Sequence, residues 1–188
     1  MTTYHHGNLR AALLRAGMKV IENKGIKHLS VREAARRARV SHNAPYRHFP
    51  DRQSLLAGIA AEGFARLGEA LKTSTGKAMG EAYVRFALEH PEVFRLMFGG
   101  EIRMEDYLPL REAADRAYQA LVDRFRVHGS EAEANVAAAA AWSLVHGLSH
   151  LLLDGHFKQA QRDAGGAASF VRQILDGVRY VLGAQRSA

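Results

Sequence analysis

Apolar side chains recur along this chain at three- and four-residue intervals from end to end, and nowhere alternate at the two-residue period of a half-buried strand. The expected fold is all-α, with about nine helices. Leu9, Leu13, Ala16 and Val20 mark the first, which should stop near Asn23-Lys24-Gly25, where glycine supplies a left-handed cap. Pro50-Asp51, with Asp51 as cap, should open a long helix that Leu55, Ile59, Phe64 and Leu67 carry to about Leu71. Further helices are expected over 77–89, 91–98 and 109–128, and another runs from the capping box Ser130-x-x-Glu133 to Asp154-Gly155. Phe170, Ile174, Val178 and Val181 define a last helix, preceded by looser chain around Gly165-Gly166.

Two short helices joined by a tight turn are predicted between Ser30 and Phe49. Ser30-x-x-Glu33 reads as a capping box, in which each side chain satisfies an orphan N–H of the first turn. Val31, Ala34, Ala35 and Ala38 follow at i, i+3, i+4 and i+7, a narrow stripe of mostly small residues that lets another helix come close. Val40 should plug the corner, and Ser41 is placed to cap a second helix near His42. Pro45 fits only the first turn of that helix, because it has no N–H. His42, Asn43, Tyr46, Arg47 and His48 are donors or amphipathic rings, whereas only Ala44, Pro45 and Phe49 suit packing. A purely structural helix is rarely so short and so polar.

Charge narrows the partner. The chain of 188 residues has a net charge of +7, but residues 1–52 carry eleven Lys and Arg against Glu22, Glu33 and Asp51. That block is therefore +8, and the remainder is close to neutral. Such a block suits nucleic acid or an anionic membrane. The helix-turn-helix spacing favours DNA over a surface helix with large apolar anchors. Cysteine is absent, which excludes disulfides and thiolate metal sites. No run approaches the roughly 18 apolar residues of a membrane span, and 1–10 has no signal-peptide core, so a cytoplasmic protein without a membrane partner is expected.

On this reading His42, Asn43 and Ala44 face base edges, while Tyr46, His48 and Arg52 grip phosphates. Asn suits adenine, and Arg47 suits guanine or phosphate. Ser30 and Arg32, at the start of the first short helix, and Ser41, before the second, complete the candidate DNA-binding set. His5-His6 suits either an arm touching the adjacent backbone or a loose chain end.

Tyr4-His5-His6-Gly7-Asn8-Leu9-Arg10 and Tyr46-Arg47-His48-Phe49-Pro50-Asp51-Arg52 resemble the DNA-binding domain of TetR/AcrR-family transcriptional regulators. Arg39 stands where the family usually has Gly or Ala, Pro45 where it often has Leu, and Arg52 where it often has Lys. Trp142-x-x-x-His146-Gly147 resembles a signature of one C-terminal subtype. The resemblance implies a helix-turn-helix domain over 6–66 and an effector-binding and dimerisation domain over 67–188. It also implies a homodimer, by family habit a repressor, released from a palindromic double-stranded operator by a small, mostly hydrophobic molecule. A ligand-independent DNA-binding protein is the alternative of the same class. No cofactor and no enzymatic chemistry are expected.

The resemblance places the effector cavity among the later helices, where Tyr83, Phe86, Phe94, Met97, Phe98, Met104, Tyr107, Tyr118, Phe125 and Trp142 are spread, with His146 and His150 as further polar groups. Aromatic and Met residues at helical spacing fill cores more often than they bind anything. His146, His150 and Asp154, at i, i+4 and i+8, share a helix face on which a metal-dependent enzyme would need ligands. Gly147 stands where a metalloprotease-type helix has glutamate, so no metal is expected. Leu144, Leu148, Leu151 and Leu152, with Phe170, Ile174, Val178 and Val181, offer more apolar face than one-sided packing needs, and are the expected dimer interface.

Overall fold

The computed structural model describes residues 9–126 and 129–183. Among them are nine α-helices and no strand: α1 (Leu9–Lys24), α2 (Val31–Ala38), α3 (Arg52–Lys72), α4 (Lys77–Glu89), α5 (Pro91–Phe98), α6 (Leu108–Phe125), α7 (Glu131–Leu153), α8 (Lys158–Asp163) and α9 (Ala167–Gly183). These are not quite the nine expected. The second helix of the 30–49 pair is a single 3₁₀ turn, Ala44–Arg47, and the loose segment before α9 contains the short α8. His5-His6 and the end of the helix expected over 109–128 lie outside the described residues.

The helices cluster into two compact units. The first takes the described residues up to Arg66 together with His90–Ala117, and the second takes Leu67–Glu89 with the described residues from Tyr118 onward. The first break between units falls after residue 66, and His90–Ala117 packs with the first unit. One cause is a cap supplied from a distance. The Glu22 carboxylate of α1 accepts from the N–H groups of Glu92 (3.3 Å) and Val93 (3.1 Å), at the start of α5, whose own N-cap His90 makes no capping bond. Negative charge there also complements the helix dipole.

In the first unit Leu13, Ile21, Leu29, Leu55, Ile59 and Phe94 are fully buried. Glycine permits the closest approaches. A Cβ at Gly17 would stand 2.6 Å from the Ile59 side chain, and one at Gly58 2.8 Å from Phe49 and 2.9 Å from Leu14. Gly25 ends α1 at φ 86°, ψ 161°, a region essentially reserved for glycine but not the left-handed helical cap expected.

In the second unit α4 packs on α7 and α9. The buried positions of α7 are Ala134, Ala138, Val145, Leu148, Ser149 and Leu152, a single stripe. Ser149 is satisfied by donating to the Val145 carbonyl at 2.7 Å. The complete capping box expected at Ser130 and Glu133 opens this helix. α7 has no unbroken apolar run of membrane-spanning length, because Asn135, Ser143, His146 and His150 interrupt it. By length and mean hydropathy it is apolar enough to cross a membrane, because alanine keeps the average high without any long run of large residues. Only 28% of its most apolar window is buried within the chain.

Candidate functional site

The first unit builds a corner between α1, α2 and the 3₁₀ turn. Ser30 caps α2 by accepting from the Glu33 N–H at 3.0 Å. The reciprocal half of the expected box is not made. Arg36 holds the Glu33 carboxylate through two bonds of 2.8 and 2.7 Å, and Lys24 approaches it at 3.4 Å. The Arg36 hydrogen bonds, with help from Lys24, hold the Glu33 carboxyl at about 2.

α2 ends at Arg39, which adopts φ 57°, ψ 41°. Its N–H bonds the Arg36 carbonyl and that of Val40 bonds the Ala35 carbonyl, the paired pattern of a Schellman cap with arginine where glycine is the usual residue. The left-handed residue aims the chain into the next turn, so the arginine departure leaves the turn geometry intact at a cost in strain.

Ser41 does not cap a helix with its side chain. Its carbonyl accepts from the Ala44 N–H, and a 3₁₀ turn follows, closed by the His48 and Phe49 N–H groups on the Pro45 carbonyl, both at 2.9 Å. Pro45 lacks the N–H that an α-helix begun at His42 would need from its fourth residue. Pro45 is buried, and Phe49, 3% exposed, lies beneath the guanidinium of Arg10. Ser41, His42, Asn43, Tyr46, Arg47 and His48 are exposed together with Ser30 and Arg32, and Ala44 is half-buried.

Arg52 differs from this set. Its Nε donates to the Leu29 carbonyl at 3.0 Å and its Nη2 to the Ile26 carbonyl at 2.8 Å. The side chain expected from sequence to meet phosphate here ties the start of α3 to the loop before α2. Asp51 and Ser54 cap α3 reciprocally, Asp51 Oδ1 accepting from Ser54 N at 2.7 Å.

The second unit holds a cavity of about 490 Å³ bordered by α4, α6, α7 and α9 and by Leu71. Of the residues placed around an effector pocket from sequence, Tyr83 and Phe125 line it. Trp142 and His146 meet the Tyr83 hydroxyl, Tyr118 packs on Trp142, and His150 packs on His146. Trp142 and His146 centroids are 5.8 Å apart, His146 and His150 4.6 Å, and Tyr118 and Trp142 5.7 Å. Phe86 is buried within α4. Phe94, Met97, Phe98, Met104 and Tyr107 belong to the first unit. There Phe98 packs on Phe94 and Phe64 at 5.0 and 5.2 Å, and the Met97 sulfur lies where a Cβ on Gly63 would intrude. The missed lining residues include Met79, Gly80, Leu121 and Leu175. On α4 the signal was present: Gly76, Met79, Gly80 and Tyr83 follow i, i+3, i+4 and i+7.

Trp142 Nε1 donates to the Tyr83 hydroxyl, and that hydroxyl lies 2.9 Å from His146 Nδ1. Which of the two donates is set by the imidazole tautomer, since the phenol oxygen can accept a second bond or give its own proton to Nδ1. Burial, with the neighbouring His150, pushes His146 below its ordinary value, and burial raises the Tyr83 phenol. Among the described residues no group of three His, Asp or Glu is placed to hold a metal ion.

The expected dimer stripe is divided. Leu148 and Leu152 are buried in their own chain, and Leu144 lines the cavity. Leu151 is exposed, Ile174 and Val178 are half-buried, and Phe170, also half-buried, has its ring 5.6 Å from that of Phe157. The Val181 side chain lies outside those described.

An exposed polar turn held by a two-helix corner, in one chain with a helical unit enclosing a cavity, defines a regulator of the helix-turn-helix class. Comparison with known families narrows this. Residues 13–59 match the model for "Bacterial regulatory proteins, tetR family", and residues 77–176 that for "Tetracyclin repressor-like, C-terminal domain". The chain belongs to the TetR family of transcriptional regulators, and its N-terminal unit carries the family's helix-turn-helix DNA-binding domain.

Solved structures agree in fold. A protein of unknown function from Rhodococcus sp. RHA1 is 31% identical, over 94% of this chain and 96% of its own, with a TM-score of 0.76. A Pseudomonas aeruginosa PAO1 protein, inferred to be a transcriptional regulator, is 19% identical over 97% and 94%, with a TM-score of 0.68. A variant of TetR from Acinetobacter baumannii AYE, solved in complex with minocycline, is 18% identical over 95% and 98%, with a TM-score of 0.61. No curated protein matches the chain.

Proposed function

We propose that this chain is a homodimeric repressor that binds a palindromic operator and releases it when a small, mostly hydrophobic molecule occupies the second unit. The observation that carries the reading is the exposed polar set His42, Asn43, Tyr46, Arg47 and His48 on a turn whose underside is the buried pair Pro45 and Phe49. Residues 6–66 supply the DNA-binding function and 67–188 the effector and dimer functions, with His90–Ala117 serving as packing for the first unit. Ser30, Arg32 and His48 position the backbone, while His42, Asn43 and Arg47 meet base edges. Arg52 acts as a brace. The cavity beside Tyr83 is the effector site, and the minocycline found in the Acinetobacter relative supports a ligand-responsive reading. The protein is not an enzyme, and it acts in the cytoplasm without a membrane partner.

The test is selection of duplexes from a random pool by the full-length protein. A two-fold symmetric site should emerge, and Asn43→Ala should relax the preference at one position per half-site by about 1–3 kcal/mol. Recovery of no preferred duplex would overturn the reading.

A further inference from the structure

The cavity of the second unit carries an unbalanced charge. Its lining is mostly apolar, with Met79, Leu121, Phe125, Val145 and Leu175 among its walls, and it contains Lys77 and Arg124 but no acidic residue. The two cations are not equivalent. Lys77 Nζ lies 2.9 Å from both carboxylate oxygens of Asp176 on α9, so its charge is already answered. Arg124 stands in the last turn of α6. Its neighbour Arg126 takes the nearby acids, Asp123 at 2.9 Å and Glu131 at 3.2 Å. Among the described residues Arg124 makes no hydrogen bond or ion pair.

The remaining polar group of the wall, the Tyr83 hydroxyl, is already bonded to Trp142 Nε1 and to His146 Nδ1, both at 2.9 Å. A ligand of this cavity therefore meets apolar surface and one uncommitted planar guanidinium. An arginine fork matches the two oxygens of a carboxylate. A phosphate monoester, close to a dianion at neutral pH, would call for a second cation, and Lys77 is held by Asp176. A cationic ligand would be repelled.

We propose that the cavity takes an apolar monocarboxylate, its hydrocarbon part against Met79, Leu121, Val145 and Leu175 and its carboxylate on Arg124. The assignment rests on the ligand-responsive reading above and adds the charge of the effector to it.

The experiment titrates the full-length protein with decanoate and, separately, with decan-1-ol of the same chain length. It is read by the fluorescence of Trp142, the chain's single tryptophan, which bonds the cavity residue Tyr83, and checked by calorimetry. Decanoate should bind at least about tenfold more tightly than the alcohol, the scale of one charge-assisted hydrogen bond at a partly wet site. Arg124→Gln, a surface change, should erase that ratio by weakening decanoate alone, and Arg124→Lys should restore part of it. Equal affinities, or a preference that survives Arg124→Gln, overturn the proposal and leave a hydrophobic effector standing. Binding of neither probe overturns both the proposal and the cavity's role as an effector site, while the operator selection remains independent of the result.

Discussion

Arg52 Nη2 donates to the main-chain carbonyl of Ile26 at 2.8 Å, joining the first turn of α3 to the chain that follows α1. With its Nε on Leu29, the side chain spends two donors on carbonyls of its own fold. Arg52→Ala should therefore lower stability by about 2 kcal/mol, the scale for hydrogen bonds made by a charged donor. Urea denaturation measures this. The slope of operator affinity against salt should stay unchanged, whereas a phosphate contact would reduce it by about 0.9.

Arg39 occupies a left-handed conformation that costs a non-glycine residue about 1–2 kcal/mol. Arg39→Gly should raise stability by up to about 1 kcal/mol, since glycine's extra freedom in the unfolded chain returns part of the gain. A fall in the thermal midpoint would mean that the arginine side chain supports the turn.

The Tyr83 and His146 pair predicts a loss of stability in acid. His146 is held below its ordinary 6.5, so the unfolded chain binds a proton there more readily than the folded one. Its contribution is complete above pH 6.5 and is lost as pH falls from 6.5 through the lower folded value. Denaturation midpoints for the wild type and His146→Gln should converge on acidification. Parallel curves would place the acid sensitivity elsewhere.

Val178 is half-buried on α9, and Val136 and Leu151 of α7 are exposed. On the proposed dimer, Val178→Asp buries an unpaired carboxylate and should give a folded monomer with collapsed operator affinity. Analytical ultracentrifugation of both proteins at micromolar concentration decides it. A wild-type monomer that binds its full site tightly would remove the dimer from the reading.

The helical class, most of the helix limits and the exposed polar turn were legible in the sequence because each depends on near neighbours. Ser130 with Glu133, and Asp51 with Ser54, are local pairs, and capping residues announce themselves by spacing. The capping of α5 by Glu22 joins residues 70 apart, and no spacing rule anticipates it. That bond helps move Phe94, Met97 and Phe98 from an expected pocket into a core. Leu148 and Leu152, expected at a dimer interface, are buried within their own chain for a related reason. A helical stripe shows which positions turn away from water, but not whether the covering surface belongs to the same chain. At Pro45 the missing N–H leaves a 3₁₀ turn in place of an α-helix.

The brevity of that turn bears on how much a single copy of this chain knows about a genome. Four residues at a rise of about 2 Å make an element about 8 Å long, the span of two or three base-pair steps. A three-letter word recurs by chance about once in 64 positions, against roughly 10⁶–10⁹ competing sites. Such a short address singles out no promoter. On the proposed dimer a symmetry-related second copy would multiply the two improbabilities, with shape and flanking contacts supplying the rest. On that reading one proline's missing hydrogen limits the vocabulary of each half-site and makes pairing a requirement of meaning.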